Sequence, residues 1–423
     1  MHEPIGHGTF CSARARRLTS PGGRAPSPAS LRGLDWFVFF LADVQTGFGP
    51  FITVYLTTQA WTQTDIGLVL TAGTLVALVC QLPGGALVDA VPSEKLVAAV
   101  SVGAIALSAL TIAAAPVFPA VLASQIVHAG ASCVLGPALA AISLGLVGHR
   151  AIGERLGRNA RFAAIGNGLA AGAMGACGYF ISNRFVFVAT AILVAPTFWA
   201  LRRIRSEDID AEGAHGGPHP GGLTALAAGL VRLVSDRRLL ALAACILLFH
   251  LANAAMLPLM GGVVTTRSAR WATVLIAACI IVPQMAVAAF SPWVGRQAQA
   301  WGRRPILLAG FAALCVRGVL FAVVANPYAV VAIQVLDGVA AAALGVMVPL
   351  IVADVTRGTG RFNLALGFVG SAVGIGASAS TTLAGYCSDH FGSGVAFFGL
   401  AGIAAAGLAL AFAALPETRP VGD

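Results

Sequence analysis

The stretch Ser124–Ile142, "SQIVHAGASCVLGPALAAI", aligns without gaps on Ile333–Ile351, "IQVLDGVAAAALGVMVPLI", at an offset of 209 residues. Gln125 falls on Gln334, Gly136 on Gly345 and His128 on Asp337. A second pairing lays "VQTGFGPFITVYLTT" (44–58) on "ANAAMLPLMGGVVTT" (252–266) at an offset of 208, matching Gln45 with Asn253 and Pro50 with Pro258. Abundant Ala, Gly and Leu inflate chance identity, so one pairing alone says little. Two pairings at nearly one offset describe a parallel repeat: the chain is two copies of one bundle.

The paired stretches sit inside long apolar runs. The chain is 58% hydrophobic and 10% charged, with mean hydropathy +0.86. A soluble domain carries about 25% charged residues, so this surface faces lipid and the protein is membrane-integral. A hydrocarbon core about 30 Å thick takes roughly 20 apolar residues at 1.5 Å each. Runs of that kind occur at 34–58, 66–88, 95–114, 119–147, 162–182, 185–201, 239–262, 272–294, 305–325, 328–352, 363–386 and 395–415. The expected fold is an all-α membrane protein of 12 transmembrane helices in two pseudo-symmetric six-helix bundles. Prolines inside the runs (Pro50, Pro137, Pro196, Pro258, Pro283, Pro349) are tolerated in membrane helices.

The net charge of +9 does not point to nucleic acid, because the arginines lie between apolar blocks. They read as topology signals. With both termini cytoplasmic, that side holds 22 Lys and Arg. The other side holds Arg184, Arg267 and Arg270, and Arg317 lies inside a run. This split predicts both termini inside. Residues 1–31, rich in Arg, Pro, Ser and Gly, lack a clean apolar signal-peptide core and read as a disordered cytoplasmic tail. The expected division is a bundle at 32–201, a polar Gly/Pro-rich linker at 202–238, a second bundle at 239–415 and a cytoplasmic tail at 416–423. "LTALAAGLVRLVSDRR" within the linker suits a short helix on the inner surface.

Soluble-enzyme motifs are absent. There is no Walker A, the "GNGLAA" of 166–171 lies inside an apolar run rather than after a strand, and there is no HExxH or GxSxG. The eight cysteines never stand within three positions of one another, which excludes CxxC metal and redox sites. No enzyme, cofactor or metal is expected. Gly168/Gly172 and Gly370/Gly374 read as GxxxG helix contacts.

Twelve runs, a central polar loop and the repeat resemble the major facilitator superfamily, closest in character to bacterial drug/proton antiporter-like members, over about residues 32–418. The superfamily carries G-x3-D-R/K-x-G-R-R/K in the cytoplasmic loop after the second helix of each half. "GALVDAVPSEK" supplies Gly85 and Asp89, with Val91, Pro92 and Ser93 in place of the later residues. "GRQAQAWGRRP" supplies Gly295, Gly302, Arg303 and Arg304, with Gln299 where the acid would stand. The resemblance implies that these loops latch an inner gate. It also implies that helices 1, 4, 7 and 10 line a central cavity.

Ionisable groups within membrane spans are rare and mark ion or substrate paths. Here they are Asp43, His128, His250, Arg317 and Asp337. Arg317 lies nine residues before the Asn326–Pro327 turn and Asp337 ten after it, so the two can meet across a hairpin as a buried ion pair. Asp43 has no Lys or Arg within a helical turn. It reads either as a carboxyl that takes up and releases a proton or as a neutral acid bonded to a neighbouring helix. Histidines titrate near neutrality, so His128 and His250 join Asp43 and Asp337 as candidates for proton coupling. Gln45, Gln125, Asn253 and Gln334 are candidates for substrate hydrogen bonding or for bonds between helices.

The resulting expectation is proton-coupled secondary transport by alternating access in the cell (inner) membrane. Two acids and no fixed cation on the cavity helices favour export of a largely apolar small molecule, with proton-driven uptake of a small metabolite or organic acid as the alternative and a non-transporting membrane receptor as the third reading. The expected partners are that substrate, protons and the lipid bilayer, with the chain a monomer.

Overall fold

The computed structural model describes residues 26–46, 50–217, 229, 231–267, 272–324 and 326–419. These residues are helical, with short turns and no strand among them. The helices are α1 (Pro28–Thr46), α2 (Pro50–Thr58), α3 (Gln63–Ala90), α4 (Glu94–Ala114), α5 (Phe118–Phe180), α6 (Asn183–Arg203), α7 (Ala211–Ala214), α8 (Arg237–Asn253), α9 (Met256–Arg267), α10 (Ala272–Ala300), α11 (Arg303–Val323), α12 (Pro327–Ile333), α13 (Val335–Val355), α14 (Phe362–Phe391) and α15 (Ser393–Ala414). Ten helical segments among the described residues are long and apolar enough to cross a membrane.

Local chemistry sets the boundaries. Thr62, Ser93 and Ser182 cap α3, α4 and α6 with side-chain oxygens that accept from N–H groups of the first turn. The first helix starts at Pro28 rather than 34, and the run expected at 34–58 is two helices. Pro50 opens the second of them, where its missing N–H costs nothing. Residues 47–49 lie outside the described set. The loop expected between runs at 148–161 is helical instead. The chain breaks only at Gly148, whose φ of 68° suits glycine, and then continues as helix to Phe180. Arg150, Glu154, Arg155, Arg158 and Arg161 extend that helix beyond its apolar stretch, so hydropathy alone placed its start too late.

The first six helices pack together through α1 on α5 and α6, α3 on α5, and α4 on α5 and α6. The later ones repeat the plan: α10 and α11 pack on α13, and α8 and α11 pack on α15. The two sets meet along α5–α10 and α3–α14. Both seams are closest at one end. A Cβ on Gly157 would fall 2.4 Å from the Ser291 carbonyl oxygen, and one on Gly367 2.4 Å from that of Gln81. About three to four turns further along α5, a Cβ on Gly168 would come only to 4.0 Å of Gln284, and one on Gly172 would have nothing within 4 Å among the described residues. Gly370 and Gly374 do contact α3, whereas the contact expected of Gly172 is missing because α5 and α10 diverge there.

The tight end is also the basic end. Ser27, Ser30 and Asp208 bond one another there, as do Arg303 and Glu417. Gln299 Nε2 donates to the Arg150 carbonyl, and Asp89 bonds Asn363. Ser27 and Ser30, Asp208, and Glu417 therefore gather on one side.

Candidate functional site

A cavity of about 380 Å³ lies between the two sets of helices, just behind the tight seams. Its wall is mostly apolar: Val38 from α1, Gly136, Pro137, Leu139, Ala140 and Ala163 from α5, Gly345 and Pro349 from α13, and Leu366 from α14. Gln81 and Asn159 are its polar members. That size falls in the usual range for small-molecule sites. Gly136 and Gly345, equivalent in the repeat, stand on opposite walls of it.

Four expected site residues form one network elsewhere. Arg317, 1% exposed, donates from Nη1 to Asp337 Oδ1 at 2.7 Å and to Asn253 Oδ1 at 2.5 Å. Its Nε donates to Gln334 Oε1 at 2.9 Å, and its guanidinium lies 5.2 Å over the Phe321 ring. Gln334 Nε2 donates in turn to the Cys279 carbonyl at 3.1 Å. Gln334 is fully buried with both ends of its amide engaged, so it holds helices together instead of facing the cavity. Asp337 keeps 22% side-chain exposure and its charge is matched by Arg317.

Asp43 stands apart from that network. It is 5% exposed, and its Oδ1 has no hydrogen-bond partner among the described residues. It faces α5 at Gly166, one turn beyond the cavity-lining Ala163; a Cβ on Gly166 would lie 3.1 Å from Asp43 Oδ1. Gln125 is buried against α3 beside Gly73, while Gln45 is half-buried. His128 Nε2 lies 3.4 Å from Ser132 Oγ within its own helix, and His250 is half-buried edge-on to Phe249. The proton-coupling candidates are thus not one cluster.

The basic end is built from capped helix termini. Asp89, at the end of α3, accepts from Asn363 Nδ2 at 2.8 Å, Leu364 N at 2.8 Å and Asn363 N at 3.3 Å. One carboxylate therefore caps the first turn of α14 across the seam, where the helix dipole favours negative charge. Gly85, one turn back, admits the Asn363 carbonyl so closely that a side chain would collide. Gly295 makes the matching approach to Gly153 on the other seam. In the second set, Arg303 bonds Asp354 at 2.9 Å and the Ala298 carbonyl at 2.7 Å. Glu417 accepts from the N–H groups of Arg303 and Arg304, at 2.9 and 3.1 Å, and so caps α11. Gly302, with φ 95°, makes the turn into that helix.

Comparison with known proteins interprets this geometry. The description of the Major Facilitator Superfamily matches residues 36–283 and 268–423. The chain belongs to this superfamily. Two uncharacterized MFS-type transporters of Mycobacterium tuberculosis, from strains CDC 1551 and H37Rv, are each 40% identical to it over 399 residues. The match covers 93% of this chain and 95% of each relative. Among solved structures, the proton:xylose symporter XylE bound to 6-bromo-6-deoxy-D-glucose superposes with TM-score 0.68 at 13% identity, covering 92% of this chain and 96% of that one. The human organic anion transporter MFSD10 superposes with TM-score 0.66 at 15% identity, covering 91% and 100%. At such identities the likeness is one of fold. The protein is accordingly a multi-pass membrane transporter of the superfamily, a secondary transporter and not an enzyme.

Several residues of this superfamily member escaped sequence reading. Asp35, 2% exposed, receives Arg155 Nη2 at 2.6 Å and Arg158 Nη2 at 2.6 Å. Arg155 Nε continues to Asn159 Oδ1 at 2.8 Å, and Asn159 Nδ2 to Ser143 Oγ at 2.8 Å. The signal was present: Arg155, Arg158 and Asn159 share one helical face by their spacing of three and four. The charges interrupt the apolar period, so hydropathy reads that stretch as loop, and His215 lies in a polar Gly/Pro-rich segment that has no period to read.

Proposed function

We propose that the protein is a proton-coupled secondary transporter of the cytoplasmic membrane that exports a largely apolar small molecule by alternating access. In this reading the basic end faces the cytoplasm, in keeping with the positive-inside rule. Twelve helices cross the bilayer as two six-helix halves, and the monomer is held in an outward-facing form, shut at its cytoplasmic seams. The observation that carries the proton role is Asp43: a buried carboxyl one turn from the cavity wall, with one oxygen unpartnered and no fixed countercharge bonded to it among the described residues. Such an acid in a membrane span is a functional site by default. Asp337 is committed to Arg317, so coupling rests on Asp43 first, with His128 and His250 as further titrating groups. The apolar wall of the 380 Å³ cavity supports an apolar cargo, and Gln45 remains a candidate to orient it.

The test is a compound-susceptibility and accumulation panel in an efflux-deficient host, with and without the chain. Expression is expected to lower intracellular levels of one or more apolar compounds. Asp43→Asn is expected to abolish that effect while the protein still reaches the membrane. Undiminished pH-gradient-driven transport by Asp43→Asn refutes the proton role, and raised accumulation refutes export.

A further inference from the structure

The central connection between the halves is docked across the closed gate. Lys95 donates through Nζ to the Ile204 carbonyl, and Asp210 N–H donates to the Gly145 carbonyl at 3.0 Å. Ile209 and Ala214 cover Gly145 so closely that it has no room for a side chain. The His215 carbonyl then accepts from Phe362 N–H at 3.2 Å, at the start of α14. Gly216 and Gly217, with φ 77° and 142°, press the chain against Phe362 and Gly358. Residues 206–217 thus touch α4 and α5 in one half and the α13–α14 turn in the other.

The His215 side chain, 5% exposed, points into the latch. Its Nδ1 lies 3.4 Å from Asp89 Oδ1 and its Nε2 3.3 Å from Glu94 Oε1. Each ring nitrogen therefore faces a carboxylate. A neutral imidazole has one N–H, so it would turn a lone pair toward one of the two oxygens; only the imidazolium offers a donor to both. Asp89 is the residue that caps α14, so the imidazole sits against the contact that shuts the seam. Other charged groups on the surrounding elements are His149 on α5, Lys95 on α4, Arg357 and Arg361 on the turn before α14, and Asp210 and Glu212 on the strap itself.

We propose that residues 206–217 form a strap over the cytoplasmic gate and that His215 is its pH-sensitive clasp, closed in an acidic cytoplasm and released as the cytoplasm turns alkaline. This rests on the orientation and alternating access argued above. It does not depend on proton binding at Asp43. Burial opposes charge on His215, and the hydrogen bond and charge of Asp89 with the charge of Glu94 outweigh it, so the docked imidazole titrates above its ordinary value. A group raised in this way adds stability that is complete below the ordinary histidine pKa of about 6.5 and is lost as pH rises through the docked value. The strap therefore stops the gate from opening inward when the cytoplasm is already acid.

The experiment is hydrogen–deuterium exchange of the full chain in lipid nanodiscs from pH 5.5 to 8.5, scaled for intrinsic exchange and read by mass spectrometry. Peptides covering 206–217 and 362–364 are expected to be more protected at pH 5.5 than at pH 8.5, by tenfold for each pH unit by which docking raises the imidazole. His215→Gln is expected to flatten the profile at the low-protection level. Glu94→Gln is expected to shrink the step. A flat profile in the native chain overturns the proposal whether or not the variants fold, as does an unchanged step in His215→Gln. The readout needs neither substrate nor a gradient, so a failed proton role for Asp43 leaves the result interpretable.

Discussion

Replacing Asp337 tests whether its bond to Arg317 is structural. Arg317 is 1% exposed, so in Asp337→Ala its charge stays inside the fold with only the neutral oxygens of Asn253 and Gln334 as acceptors. Breaking a buried ion pair by removing one partner costs about 3–5 kcal/mol. Asp337 retains 22% side-chain exposure, which lets water reach the site and sets the expectation at the lower end, about 3 kcal/mol or roughly 150-fold in the folding equilibrium. Arg317→Met combined with Asp337→Ala removes both charges. It leaves the Asn253 and Gln334 oxygens without that donor, at about 1 kcal/mol each. The double variant is therefore expected to be no worse than Asp337→Ala alone, with a coupling energy of about 2 kcal/mol in a double-mutant cycle. The assay is reversible unfolding in lipid–detergent micelles titrated with a denaturing surfactant. Additivity within about 0.5 kcal/mol refutes the argument, because it means the guanidinium does not depend on Asp337.

Two further outcomes follow from the gate. Asp89→Ala removes the acceptor for three donors at the start of α14, and loss of an N-cap costs about 1 kcal/mol or more. The gate is expected to open on the basic side often enough that a membrane-impermeant maleimide reacts with a cysteine placed at the cavity residue Ala160 several-fold faster; an unchanged rate contradicts the latch. Gly157→Val puts branched carbon where the Ser291 carbonyl stands 2.4 Å away. It is expected to abolish transport while leaving membrane insertion intact, and normal transport by that variant refutes close approach as a working state.

The repeat was legible because equivalent residues kept equivalent jobs. Gly136 and Gly345 both line the cavity, and Gln125 and Gln334 both pack between the same kind of helices. The hairpin spacing of Arg317 and Asp337 foretold their meeting, since helical rise converts sequence distance into depth. Hydropathy failed where helices leave the hydrocarbon. There the Arg155 and Arg158 face and the docked strap are held by charge pairs and backbone bonds, which have no apolar period to read. For Asn253 and Gln334 the sequence left two readings open, because an amide signals a need for partners but not whether a substrate or a neighbouring helix meets it; here Arg317 does. Residues 1–25, residues 223–228 and 230 of the expected surface helix, and 420–423 lie outside the described set.

The cap that Glu417 places on α11 also bears on handling the protein. Its carboxylate is supplied six residues before Asp423, and Thr418 and Arg419 add bonds to Asp354 and the Ala300 carbonyl. A fluorescent reporter or affinity tag joined after residue 423 leaves those bonds intact. One joined after Leu415 strips the cap from the first turn of a helix that carries Arg317, about 20 Å further along the same rod. Fusion series used to map membrane topology would then report a disturbed second half as though it were a topological fact.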